Sequence, residues 1–391
     1  VFGRVRSEID LNSPIGTVAS GLSRCSGVTA GARAGWTSVH RKIQSESTEA
    51  AWPGEKVAVS GVEELAEGVF ACNRRQIARA ITLVESMRME DRAQARELLG
   101  ILREHPTSAV RVGVTGVPGA GKSTFIDALG VRLIDQGHKV AVLAVDPSST
   151  KTGGSILGDR TRMAALAISD DAFIRPSPSG AHLGGVARAT RESMLVVEAA
   201  GYDVVLVETV GVGQSEVAVA GMVDTFLLVT LARAGDQLQG IKKGILEMAD
   251  VITVNKADGD NEAASRVAAR ELKTAMKLIT SDPTRRPPVL TSSSYTGDGL
   301  PEIWQAIMDH RAHLESTGGL AQRRARQQRD WMWSLVDDEL LESVRQTPAV
   351  KHIRTQLEAD VMQGTLSAME AAQEVLIAFA GQLPATWSPD E

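Results

Sequence analysis

A chain of 391 residues, 43% hydrophobic and 23% charged, is long enough for one large α/β domain with helical additions. Its formal net charge of −6 excludes a broad nucleic-acid-binding surface. No apolar run approaches the roughly eighteen residues of a membrane span. The only cysteines, Cys25 and Cys72, form no C-x-x-C pair, which argues against a thiolate metal site and for a reducing, cytoplasmic setting.

Residues 1–57 are rich in Gly, Ser, Thr and Ala and carry no sustained hydrophobic period. Arg4 and Arg6 lie beside Glu8 and Asp10, acids that a transit peptide avoids, so a disordered extension is expected. Helical spacing then begins. Val62, Leu65 and Val69 form one stripe, Ile77, Ile81 and Val84 a second, and Leu98, Leu99 and Leu102 a third. This predicts two or three short helices across 58–107, packed as a cap on the domain that follows.

The domain expected over 108–315 opens with the β-branched run Val110–Val114. Gly116-Val117-Pro118-Gly119-Ala120-Gly121-Lys122-Ser123-Thr124 comes next, and then the helix-forming stretch Phe125–Leu129. Strand, glycine-rich turn and helix in that order make a P-loop. Its backbone N–H groups wrap around anionic oxygens, Lys122 reaches the outer phosphates, and the Ser123 hydroxyl is suited to Mg²⁺. Five further apolar runs read as buried strands: Val140–Val145, Val204–Val207, Phe226–Leu231, Val251–Val254 and Val289–Thr291. Helical stretches alternate with them, so the fold class is α/β, a mostly parallel P-loop NTPase sheet flanked by helices.

The polar motifs fall at the carboxyl ends of these strands. Asp146 ends the second and leads into a Gly-rich polar segment that contains Asp159, as a metal-facing acid before a switch loop would. Glu208-Thr209-Val210-Gly211 ends the third in the form of a γ-phosphate sensor. The next residue is Val212, which cannot orient a water, so slow intrinsic hydrolysis is expected. Asn255-Lys256-Ala257-Asp258 follows the fifth. Its Asp accepts from guanine N1–H and the exocyclic amine, and adenine has no donors there, so GTP and GDP are the expected ligands rather than ATP. Ser293, Ser294 and Tyr295 follow the last strand, placed to offer backbone N–H groups to the base. A loop over 235–244, with Asp236, Gln239 and Lys242, reads equally well as a solvated connector or as a contact to phosphates or a partner.

Beyond the sheet, 316–391 is helical again. Arg323–Arg329 reads as a solvated basic face. Met332, Leu335, Val336, Leu340 and Val344 mark an apolar one, with two more stripes after Pro348. With no sheet face left to cover, these helices either meet a neighbouring subunit or fold back on their own domain.

Together, Gly116–Thr124, Ala144-Val-Asp-Pro-Ser-Ser149, Thr152-Gly-Gly-Ser-Ile-Leu-Gly-Asp159, Glu208-Thr-Val-Gly-Val-Gly-Gln-Ser215 and Gly240-Ile-Lys-Lys-Gly244 resemble the MeaB/ArgK family of P-loop GTPases. The resemblance runs from about Gly61 to Ala380. It implies a chaperone of adenosylcobalamin-dependent methylmalonyl-CoA mutase that gates cobalamin loading and release, a homodimer joined by C-terminal helices, and an N-terminal helical cap. It also implies Ser123, Asp146, Asp159 and Glu208 around Mg²⁺, Lys122, Glu208 and Asp159 as the catalytic set, and Asp236, Gln239 and Lys242 as a relay to the mutase. Two alternatives stay open: a client among related acyl-CoA mutases, and a nucleotide-gated regulator of lysine/arginine/ornithine transport. A nickel-delivery GTPase fits poorly, because the His- or Cys-rich metal sites of such proteins are missing.

Overall fold

The computed structural model of the chain describes residues 60–382, except 87, 105–107, 146–162, 177–182, 210–214, 233–242, 281 and 283–284. Among the described residues, seven strands form one sheet: β1 (Val110–Gly116), β2 (Val140–Val145), β3 (Ala172–Pro176), β4 (Val204–Thr209), β5 (Thr225–Leu231), β6 (Val251–Asn255) and β7 (Val289–Thr291). Their order is β3-β2-β4-β1-β5-β6-β7, and every neighbouring pair is parallel. The sheet is therefore wholly parallel, where the sequence predicted a mostly parallel one. Six of the strands were expected with an end error of two residues or fewer.

The strand that sequence reading missed is β3. Its five residues, Ala172-Phe-Ile-Arg-Pro176, carry an Arg and a Pro and sit at the sheet edge, so they never form the continuous apolar run of a central strand.

Alternate residues of the strands bury on opposite faces, as a period of two demands. Val112, Val114, Val204 and Leu206 pack under helix α4 (Lys122–Asp135), the short α5 (Ala164–Ala167) and α10 (Leu300–Ser316). Val205, Val207 and Phe226 face the other way, beneath α6 (Leu183–Ala199) and α7 (Ser215–Ala220). The helices before the sheet, α1 (Ser60–Phe70), α2 (Arg74–Glu85) and α3 (Met89–Leu102), join that second layer through Ile77, Ile81, Val84 and Leu98, all essentially inaccessible. Asn73 starts α2 by accepting from the N–H groups of Arg75 and Gln76. On the same face, α8 (Lys243–Met248) and α9 (Glu262–Ile279) cover Leu228, Ile252, Val254 and Val289.

The chain ends in α11 (Gly319–Gln346), α12 (Pro348–Gln363) and α13 (Ala368–Ala380). Arg323 and Arg324, expected on a solvated face, instead dock the start of α11 on the domain. Arg323 pairs with Asp250 and donates to the carbonyl of Asp224. Arg324 makes two bonds to the Asp224 carboxylate and one to the carbonyl of Ala109. The acids stand 73 and 100 residues earlier, at the amino-terminal ends of β6 and β5, so local sequence could not reveal the pairing. Among the described residues, no helix is long and apolar enough to cross a membrane.

Candidate functional site

The site sits at the carboxyl ends of β1, β4 and β6. At the end of β1 the chain turns sharply into the glycine-rich loop. Gly116 takes φ +151°, and a Cβ there would lie 1.9 Å from the carbonyl oxygen of Val229. Gly121, at φ +85°, ends the turn and begins α4, whose first residues are Lys122 and Ser123. The amino end of a 14-residue helix thus faces the loop that glycine shapes.

Lys122 is 92% buried and donates from Nζ to the carbonyl of Gly116 at 2.9 Å, across the curve of its own loop. The Ser123 hydroxyl donates to Glu208 Oε1 at 2.8 Å, so the P-loop serine and the acid at the end of β4 already touch. Two hard oxygens this close fit a small divalent cation such as Mg²⁺, which takes few protein ligands beside phosphate and water. Among the described residues, no three His, Cys, Asp or Glu residues gather into a metal site of their own. Asp146, Asp159 and Gly211 lie outside the described residues, as does the loop of Asp236, Gln239 and Lys242.

The base side is built around Asn255, which is 99% buried at the end of β6. Its Nδ2 donates to the carbonyl of Ala120 in the P-loop at 2.9 Å. Its Oδ1 accepts from Ser294 N at 3.2 Å, Ser294 Oγ at 3.0 Å and Ser292 Oγ at 3.3 Å. One amide therefore holds the phosphate loop and the segment after β7 together, a double role that the tetrapeptide pattern alone did not disclose. Lys256 adopts φ +60°, and its side chain passes Gly121, whose Cβ position is 3.6 Å from Lys256 Cε.

Ser293, fully buried, orients Asp258. Its hydroxyl donates to Asp258 Oδ2 at 2.5 Å and accepts from the N–H groups of Tyr295 and Thr296. The carboxylate is thereby fixed beside an open cavity of about 500 Å³ lined by Gly259, Ser293, Thr296 and Asp298. Tyr295 contributes its backbone to this turn, while its ring is 92% exposed. The structure brings the P-loop, Glu208, Asn255, Lys256, Asp258, Ser293 and Ser294 to one edge of the sheet, as their positions at strand ends implied.

Comparison with known proteins agrees with this geometry. A family model described as "Methylmalonyl Co-A mutase-associated GTPase MeaB" matches residues 77–349. The chain belongs to the MeaB family of GTPases. A Mycobacterium tuberculosis protein described as a probable GTPase is 57% identical over 316 residues, covering 81% of this chain and 94% of its own length. A mouse protein, the mitochondrial "Methylmalonic aciduria type A homolog", is 43% identical over 329 residues, 81% of this chain and 79% of its own. A solved structure described as "LAO/AO transport system kinase" superposes with a TM-score of 0.63 at 38% identity, covering 83% of this chain and 99% of its own. Membership in MeaB makes the chain a P-loop GTP hydrolase.

Proposed function

We propose that this MeaB-family GTPase is a chaperone of adenosylcobalamin-dependent methylmalonyl-CoA mutase, using GTP to gate cobalamin loading and to protect or reactivate its client. The observation that carries the nucleotide half is the Asn255 amide, which ties an N-K-x-D segment to a P-loop across one sheet edge. The family description supports the mutase half. A cytoplasmic location and four regions belong to the same reading: an extension over 1–57, a helical cap over 58–107, a GTPase domain over 108–315 and a dimerisation arm over 316–391.

In this reading, the Lys122 ammonium serves the β- and γ-oxygens, charged acceptors that bind it more strongly than a carbonyl does. Gly116–Thr124, apart from Pro118, which has no N–H, and Gly211 offer N–H groups to the phosphates, and Ser293, Ser294 and Tyr295 offer theirs to the guanine carbonyl. Asp258 accepts from the guanine edge, and Asn255 and Lys256 hold the ring against the P-loop. Ser123, Glu208, Asp146 and Asp159 would hold Mg²⁺, which neutralises charge on the phosphates when bound. The arm supports a homodimer. Met332, Val336, Leu340, Leu376 and Ile377 are 46–60% exposed, an apolar surface of the kind that a second copy covers.

The test is phosphate release from GTP with and without saturating mutase. Val212 cannot position a water, so turnover by the isolated chain is slow and the client raises it. Lys242→Ala leaves the isolated rate nearly unchanged and removes most of the stimulation. Equal stimulation of both proteins would move the relay away from the 236–242 loop. Absence of stimulation in the wild type would refute the mutase assignment.

A further inference from the structure

The interior positions of β1 and β4 are filled mostly by valine and leucine, yet their last shared level carries two hydroxyls. The strands run in parallel register with Val114 opposite Glu208, and Thr115 and Thr209 follow directly. Thr209 Oγ1 donates to Thr115 Oγ1 at 2.9 Å, and the two residues are 0% and 1% exposed. A pair of valines would fill nearly the same volume with no hydroxyl to take out of water, so packing does not call for this pair. What a hydrogen bond adds is direction.

The bond closes a ring. Thr115 is followed by Gly116, whose carbonyl accepts from Lys122 Nζ, and Lys122 is followed by Ser123, whose hydroxyl donates to Glu208. Glu208 is followed by Thr209, which returns to Thr115. Three hydrogen bonds and three peptide links thus join the two segments that face the phosphates. Lys122, Ser123 and Glu208 are the groups that the proposed function turns over to nucleotide and cation. The threonine pair touches neither, so it is the one closure of the ring that survives ligand binding.

We propose that Thr115 and Thr209 are positioning residues. Their hydrogen bond fixes the end of β4, and with it Glu208 and the start of the γ-phosphate sensor, relative to the P-loop during GTP hydrolysis. This rests on the GTPase reading of the site. GDP lacks the γ-phosphate and depends little on where the end of β4 stands, so the bond acts on turnover and not on GDP affinity.

The experiment compares wild type with Thr115→Val, Thr209→Val, the double variant and Thr209→Ser. Steady-state GTP hydrolysis, GDP affinity and melting temperature are measured for each. Either valine lowers kcat about tenfold, the scale of one lost hydrogen bond, with GDP affinity within about twofold of wild type. The double variant falls no further than the single ones, because either change breaks the same bond. Thr209→Ser, which keeps the hydroxyl, restores the rate. Wild-type turnover in the valine variants would overturn the proposal. So would a parallel fall in kcat, GDP affinity and melting temperature, which marks a merely structural bond, or a serine variant as slow as the valine one. Failure of the wild type to prefer GTP over ATP would reject the reading of the site itself, before any variant is compared.

Discussion

The nucleotide edge of the sheet and helix α11 are built on opposite plans. At the nucleotide edge, buried polar groups find partners in neighbouring loops on a frame of apolar strands: Asn255 bonds Ala120 and Ser294, and Ser293 bonds Asp258. Helix α4 beside them buries six of its fourteen residues. In α11 none of the 28 residues is buried, and it meets the domain mainly through hydrogen bonds and ion pairs of Arg323, Arg324, Gln327 and Glu339, with the Trp331 ring beneath the Arg191 guanidinium. Its apolar residues Met332, Trp333, Val336, Leu340 and Leu341 are 46–58% exposed. A surface helix ordinarily turns its apolar stripe toward its own core. Here polar groups make most of the bonds to the domain and a strip of apolar residues stays exposed, the strip that the proposed homodimer would cover.

The largest effect expected separates the two regions at the base pocket. Asp258→Asn replaces a carboxylate that matches two guanine donors with an amide that meets one of them with its own donor. GTP affinity should fall about 10³-fold, xanthosine triphosphate should become the better ligand, and the oligomeric state should stay as in wild type. Titration calorimetry with both nucleotides, together with sedimentation, reads all three. Unchanged GTP affinity would remove Asp258 from the base site.

A smaller effect tests the arm alone. Leu340→Glu combined with Leu376→Glu puts two charges on the outward apolar face and should weaken self-association about 100-fold or more, leaving isolated GTP turnover within about twofold. Sedimentation across a concentration series measures it. A dimer of wild-type strength would show that this face is covered in another way.

The smallest effect lies where the two regions join. His310 on α10 contacts the Thr225 hydroxyl at 2.8 Å and Asp250 at 3.3 Å, near Arg323 and His313. Burial pushes its pKa below the ordinary 6.5, and this outweighs the opposing pull of Asp250. The unfolded chain therefore takes up the proton first. Stability from this group is fully present above pH 6.5 and is lost as pH falls through 6.5 toward the folded value. Between pH 8 and pH 5, the melting temperature of His310→Gln should fall less than that of wild type. Parallel curves would show that the histidine titrates alike in both states.

How much of this was legible in the sequence depended on the range of the interaction. The P-loop is local: glycine spacing, lysine and serine lie within nine residues, and Val110–Val114 marks the strand that carries them. Asn255-Lys256-x-Asp258 was legible for the same reason. The tie from Asn255 to Ala120 spans 135 positions, and that from Arg324 to Asp224 spans 100. No periodicity encodes such pairs. Arg323 and Arg324 were misread because a basic run on a helix has the same composition whether it meets water or buried carboxylates. The threonine pair escaped notice because a β-branched residue in a strand looks ordinary until its hydroxyl is seen to have a partner.

The double grip of Asn255 has a consequence for substrate choice. With one end of the amide on the P-loop and the other on the segment after β7, the contacts proposed for phosphates and base form a gauge of fixed span. A ligand is measured for the distance between its ring and its phosphates as well as for the edge it presents. A guanine analogue with a lengthened linker would offer every correct donor and still fail to seat both ends at once. Cutting the gauge with Asn255→Ala would blunt that test of length, so that guanosine and free triphosphate would each bind as they do alone, without the advantage of being joined.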